Sequence, residues 1–88
     1  MTTFRRADGV LAETLEGRAA LVNPSGTELF TLNPVGSVVW DALVGDQVLD
    51  ALVDAVLAAC GPVERATVTS DVSRFVDELC DLDLIVRV

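Results

Sequence analysis

The Asn33-Pro34 pair limits most tightly how this chain can fold. Before it, apolar residues fall in short runs of strand length; after it, they recur at helical spacing. Asn33 is a good N-cap, because its side-chain oxygen can accept an unpaired amide of the first helical turn. Pro34 suits the first helical position, where its missing N–H costs nothing and its φ is already set. The chain therefore passes here from a small sheet to helices. The last strand before the change, about Glu28 to Leu32, is a candidate free edge, and a free edge can receive a peptide.

Three strands are expected upstream. Val10 to Leu15 is the first; Glu16-Gly17 is a turn signal; Arg18 to Asn23 is the second. Asn23-Pro24-Ser25-Gly26 is a strong turn cluster, and Glu28 to Leu32 is the third strand. Connections this short favour an antiparallel meander with the second strand in the middle. On the third strand Phe30 and Leu32 share one face, assigned to the core, and Leu29 and Thr31 the other.

Three helices follow. Pro34 to about Leu43 carries an apolar stripe of Val35, Val38, Val39 and Ala42, with Trp40 and Leu43 beside it and Gly45 as a stop. Trp40 reads as a core residue. Asp46 can cap a second helix from Gln47 to about Ala59, which Gly61-Pro62 ends. A third helix begins between Glu64 and Ser70, with Thr67, Thr69 and Ser70 as possible caps, and runs to about Leu82. Val68, Val72, Phe75, Val76, Leu79 and Leu82 form its stripe. Leu84 to Val88 is a short β-prone tail. The expectation is one α+β domain over residues 1–88, a winged helix-turn-helix with a three-stranded antiparallel sheet followed by three helices.

Composition narrows the function. At 51% apolar residues, an 88-residue chain can bury a core, yet no apolar run approaches the ~20 residues of a membrane helix, and no signal peptide is visible. A cytoplasmic location is the default, with no membrane partner. The six cations are all arginine, histidine and lysine are missing, and the net charge is −8. Most nucleophile–base pairs are thus unavailable, and no metal-ligand spacing or phosphate-cradling pattern occurs. Cys60 and Cys80, with no C-x-x-C, read as small buried hydrophobes. Asp71, Asp77, Glu78, Asp81 and Asp83 read as the solvated face of the third helix and its end. A binding protein is expected, neither an enzyme nor the holder of a cofactor or metal.

Two binding classes compete. The layout invites DNA binding by a transcriptional regulator, but between Asp71 and Asp83 the chain offers five acids and one cation, Arg74. Such a helix would repel a phosphate backbone, so no nucleic-acid partner is expected. The alternative is peptide binding by strand addition: Leu29 to Leu32 has neither Pro nor Lys to block pairing, and a neighbouring third helix would form a groove beside it.

The run Leu32-Asn33-Pro34-Val35-Gly36-Ser37-Val38-Val39-Trp40-Asp41-Ala42-Leu43 resembles the L-N-x-x-G/A-x-x-I/V-W-x-x-L core of PqqD-like proteins. Asp71-Val72-Ser73-Arg74-Phe75-Val76-Asp77-Glu78-Leu79 is similar to that family's D-V-x-x-F-V-x-x-L helix, and the turn-bearing segment Leu21 to Gly26 also matches. One departure is Asp83, where the family usually has Gly before its final Leu-Ile. The resemblance implies a RiPP recognition element, a domain that binds the leader segment of a ribosomally made precursor peptide and presents its core to a modifying enzyme or leader protease. Lasso peptide and pyrroloquinoline quinone pathways use such domains. The resemblance also implies a leader docked between the third strand and third helix. Glu28, Leu29, Phe30, Thr31 and Leu32 would be the strand wall, and Val68, Asp71, Val72, Arg74 and Phe75 the helix wall. Val68, Val72 and Phe75 must serve both core and groove, and the pattern leaves their division open. Asp71 would support the start of the third helix or meet a leader side chain; Arg74 would pair with acids of the chain or of the leader.

Overall fold

A computed structural model describes residues 1–88. The strands are β1 (Thr3–Arg6), β2 (Leu11–Leu15), β3 (Arg18–Val22), β4 (Leu29–Thr31), β5 (Gln47–Val48) and β6 (Ile85–Arg87); the helices are α1 (Pro34–Ala42), α2 (Leu49–Cys60) and α3 (Arg65–Asp81). The expected meander is present, with the order β2-β3-β4 and every pairing antiparallel. Glu16 and Gly17, both at positive φ, make the two-residue turn between β2 and β3, the geometry that matches strand twist. Between β3 and β4 the Asn23 side-chain oxygen accepts the amides of Thr27 and Glu28 at 2.9 and 3.0 Å, closing the loop that the Asn-Pro-Ser-Gly cluster announces.

A second antiparallel sheet, β5-β1-β6, joins the two ends of the chain to the segment before α2. It revises the expected second helix. Gln47 and Val48 pair with Phe4 and Thr3, so the helix begins at Leu49, with Val48 and not Asp46 in the capping position. The β-prone tail pairs with β1, and the amides of Thr3 and Val88 reciprocally bond the other's carbonyl.

The sheet–helix junction is built as the Asn33-Pro34 signature requires. Asn33 Oδ1 accepts the Gly36 amide at 2.7 Å, and Pro34 opens α1. The third helix is longer at its start than its cap candidates indicate. Glu64 occupies the N-cap position with no side-chain bond, so Thr67, Thr69 and Ser70 lie inside the helix and Asp71 is well past its first turn. Asp71 therefore does not support the helix start. At the other end, Leu82 is the C-cap and Asp83 takes φ +61. The Asp83 amide donates to the Cys80 carbonyl and the Leu84 amide to that of Leu79. This is the two-bond left-handed stop that usually employs glycine, which gives the family's Gly a physical reason at this position.

The core lies between the inner face of β3, the three helices and the second sheet. Ala19, Leu21, Leu32, Val39, Trp40, Leu43, Leu52, Val53, Val72, Val76 and Leu84 are all buried. Trp40 is a core residue, as expected, and the Arg6 guanidinium caps its ring at 4.6 Å while donating to its carbonyl at 2.6 Å. Phe30 is only half-buried, packed against the margin of the core, because β4 ends the sheet and has covering structure on one side only. Cys60 is exposed at the end of α2, not buried, and Cys80 is half-buried; both thiols are free.

Candidate functional site

The edge of β4 and the mouth of a cleft are consecutive along the chain. β4 pairs only with β3, and neither terminus covers its other side, since both termini belong to the second sheet. The direction of its backbone groups follows from two bonds. Leu32 donates its amide to the Ala19 carbonyl at 2.8 Å, and Asn23 donates its amide to the Glu28 carbonyl at 3.2 Å. Antiparallel ladders alternate, so residues 28, 30 and 32 turn their polar backbone toward β3. Leu29 and Thr31 turn theirs outward. The vacant edge thus presents two N–H and two C=O groups, and nothing within it blocks a further strand.

Two residues beyond Thr31 the cleft begins. It has a volume of about 330 Å³. One wall is the start of α1, with Asn33, Val35, Gly36 and Val39; the other is the middle of α3, with Asp71, Val72, Arg74 and Phe75. Val72 is 2% exposed and Phe75 half-buried, so the stripe of α3 divides: Val72 closes the cleft from the core side, and Phe75 stands in its wall. Val35 is exposed into it from α1. At the rim Arg74 donates to Asp71 at 2.8 Å, an exposed pair one helical turn apart. A smaller hollow of about 150 Å³ adjoins through Val35, Asp71 and Val72 and reaches Val68, Val63 and Cys60.

The ten residues singled out from the sequence therefore fall into two groups. Glu28, Leu29 and Thr31 are exposed along the edge, Phe30 is half-buried and Leu32 buried, and none of the five lines the cleft or the smaller hollow. Asp71, Val72, Arg74 and Phe75 share the cleft, whereas Val68 opens onto the smaller hollow only. The wall facing α3 is α1, not β4. Asn33, Val35, Gly36 and Val39 were legible only as helix cap, helix start and stripe. Their second role follows from α1 packing with its first turn beside α3.

The Gly36 position shows how closely the walls approach. A Cβ there would meet Phe75 Cζ at 2.8 Å and Cε1 at 2.9 Å, closer than real side chains stand, so only glycine leaves the ring where it is.

Every arginine has a partner within the chain. Arg5 faces Asp46 at 4.0 Å, Arg6 holds Trp40, and Arg18 donates to the Leu32 carbonyl. Arg65 bonds Asp54, Arg74 bonds Asp71 and Arg87 bonds Asp77. Bonding to Asp54 and Asp77 raises the affinity of Arg65 and Arg87 for their protons above the ordinary guanidinium value.

These features define a small α+β domain of winged-helix character in which the open edge of β4 runs into a cleft of mixed polar and apolar lining. The comparisons give it a family. The profile described as coenzyme PQQ synthesis protein D, PqqD, matches residues 18–85, and the chain belongs to the PqqD family. A solved structure, TbiB1 in complex with the TbiA(beta) leader peptide, superposes with a TM-score of 0.81 at 27% identity, over 92% of this chain and 93% of that one. No curated protein matches significantly.

Proposed function

We propose that this protein is a RiPP recognition element that binds the leader segment of a ribosomally synthesised precursor peptide. The leader pairs as an added strand with Leu29 and Thr31, and side chains beyond Thr31 enter the cleft between α1 and α3. Main-chain bonds supply affinity and the cleft supplies selection. The carrying observation is the vacant edge of β4, with its backbone groups outward, leading directly into the cleft. Family membership and the likeness to a protein solved with a leader peptide support the same reading. The 1–88 chain acts as one domain, without catalysis of its own, and hands the leader to a modifying enzyme or leader protease of a lasso peptide or related pathway in the cytoplasm. No helix is long and apolar enough to cross a membrane.

The charges oppose the use of this fold on DNA. With a net charge of −8, and with an aspartate beside each of Arg5, Arg65, Arg74 and Arg87, the surface offers a phosphate backbone little attraction. Generic duplex DNA should not be retarded by the protein even at low salt.

Calorimetry with a synthetic leader from a short precursor encoded beside the gene tests the proposal. The expected dissociation constant is micromolar or below, about −8 kcal/mol or better. No heat and no competition with any co-encoded leader would overturn it.

A further inference from the structure

The contact between Gly36 and Phe75 has no part in strand pairing, and it brings α1, at its buried Gly36, against the middle of α3. By helix propensity alone alanine would be favoured over glycine at this position. What crowds a side chain there is chiefly the Phe75 ring, whose far edge lies 2.8–2.9 Å from where a Cβ would stand, with the capping Asn33 Oδ1 next at 3.1 Å. The ring belongs to the cleft wall and is only half-buried. Behind it lies the close-packed core, with Val72 and Val76 2% and 1% exposed. On its other side the ring borders the cleft. A methyl group added at Gly36 must displace the ring and so reshape the cleft it lines, and removal of the ring enlarges that cleft.

We propose that Gly36 and Phe75 together set the size of the leader side chain the cleft admits. This rests on the leader-binding reading and adds to it a specificity-determining pair. The occupant is a large apolar side chain, received between Val35 and Val39 of α1 and Val72 and Phe75 of α3, which share the lining with Asn33, Asp71 and Arg74. The glycine keeps the ring back against α1, and the ring in turn gauges what fits.

Four proteins test it: the natural chain, Gly36→Ala, Phe75→Leu and the double variant. Calorimetry is run with the co-encoded leader, scanned with alanine to find the apolar residue whose loss weakens binding most. That position is then varied among alanine, leucine and tryptophan. A mismatch of a methyl group in an apolar pocket is worth roughly tenfold or more in selection. Gly36→Ala should lower affinity for the large-residue leader by about that factor and leave the alanine leader nearly unaffected. Phe75→Leu should improve the tryptophan leader relative to the natural one. The double variant should recover the large-residue leader, because the smaller side chain makes room for the methyl group.

A second measurement needs no leader. With 4-fluorophenylalanine at Phe4, Phe30 and Phe75, the fluorine resonance lost in Phe75→Leu identifies Phe75, and Gly36→Ala should shift that resonance and leave the other two in place. An unmoved Phe75 signal overturns the gauge whether or not a leader binds. Leader binding with the same size preference in all four proteins overturns it while sustaining the leader-binding reading.

Discussion

The Ser37 hydroxyl accepts a hydrogen bond from the Ala19 amide at 2.8 Å and donates one to the Asn33 carbonyl at 2.9 Å. Ala19 is fully buried, and the Leu32 carbonyl opposite it in the ladder takes the Arg18 side chain instead. Ser37 thus supplies the last rung of the sheet from within α1, fixing the helix to β3 and the cleft to the edge. Ser37→Ala leaves a buried amide unpaired. The cost should be about 1–3 kcal/mol, read as a lower urea midpoint with an unchanged slope.

Asp83 supports a prediction of the opposite sign. Its φ of +61 costs an L-residue roughly 1–2 kcal/mol, somewhat less for Asp, and glycine avoids the cost at some expense in unfolded-chain entropy. Asp83→Gly should stabilise by about 0.5 kcal/mol, or roughly 2–4 °C in Tm. Asp83→Val, β-branched in the same conformation, should lower Tm by more than the glycine raises it.

The meander and the start of α1 were legible because their signals are local. Glu16-Gly17, the Asn23 turn and the Asn33 cap each act within a few residues, and each performs the predicted task. The second sheet was not legible. β1 is four residues carrying two arginines, and its partners are Gln47-Val48 and the last residues of the chain, so no local periodicity reports it. For the same reason Asp46 looked like a cap: the pattern of α2 is apolar from Val48 onward, and only pairing with Thr3 makes Val48 a strand residue. The α3 half of the cleft followed from a helical stripe and a family motif. The α1 half did not, because Gly36 and Val35 acquire their neighbours only when two helices pack.

The two thiols should differ in reactivity. Burial raises the Cys80 thiol above its ordinary value of 9.0, and Asp77 and Asp81 add to this while Arg87 opposes it. Cys60 is exposed. At mildly alkaline pH iodoacetamide should modify Cys60 first, with Cys80 lagging, as peptide mass spectrometry can follow. The raised value also means that the folded state favours the neutral thiol. Its contribution to stability is complete below the unfolded thiol's value and is lost as pH rises through the folded one. Cys80→Ser should therefore flatten the alkaline limb of the stability profile.

Proline substitution along β4 separates fold from function. The Thr31 amide points away from β3, so Thr31→Pro removes no rung of the sheet, and an edge strand tolerates the ring. It does remove a donor from the vacant edge and sets a bulky ring where the leader's backbone would lie. Circular dichroism and Tm should stay close to those of the natural chain, while leader affinity falls by about tenfold or more. Phe30→Pro is the contrast. Its amide faces Leu21 in β3 by the same alternation, so that variant should lose sheet structure first. A folded Thr31→Pro protein with undiminished affinity would place the leader somewhere other than this edge.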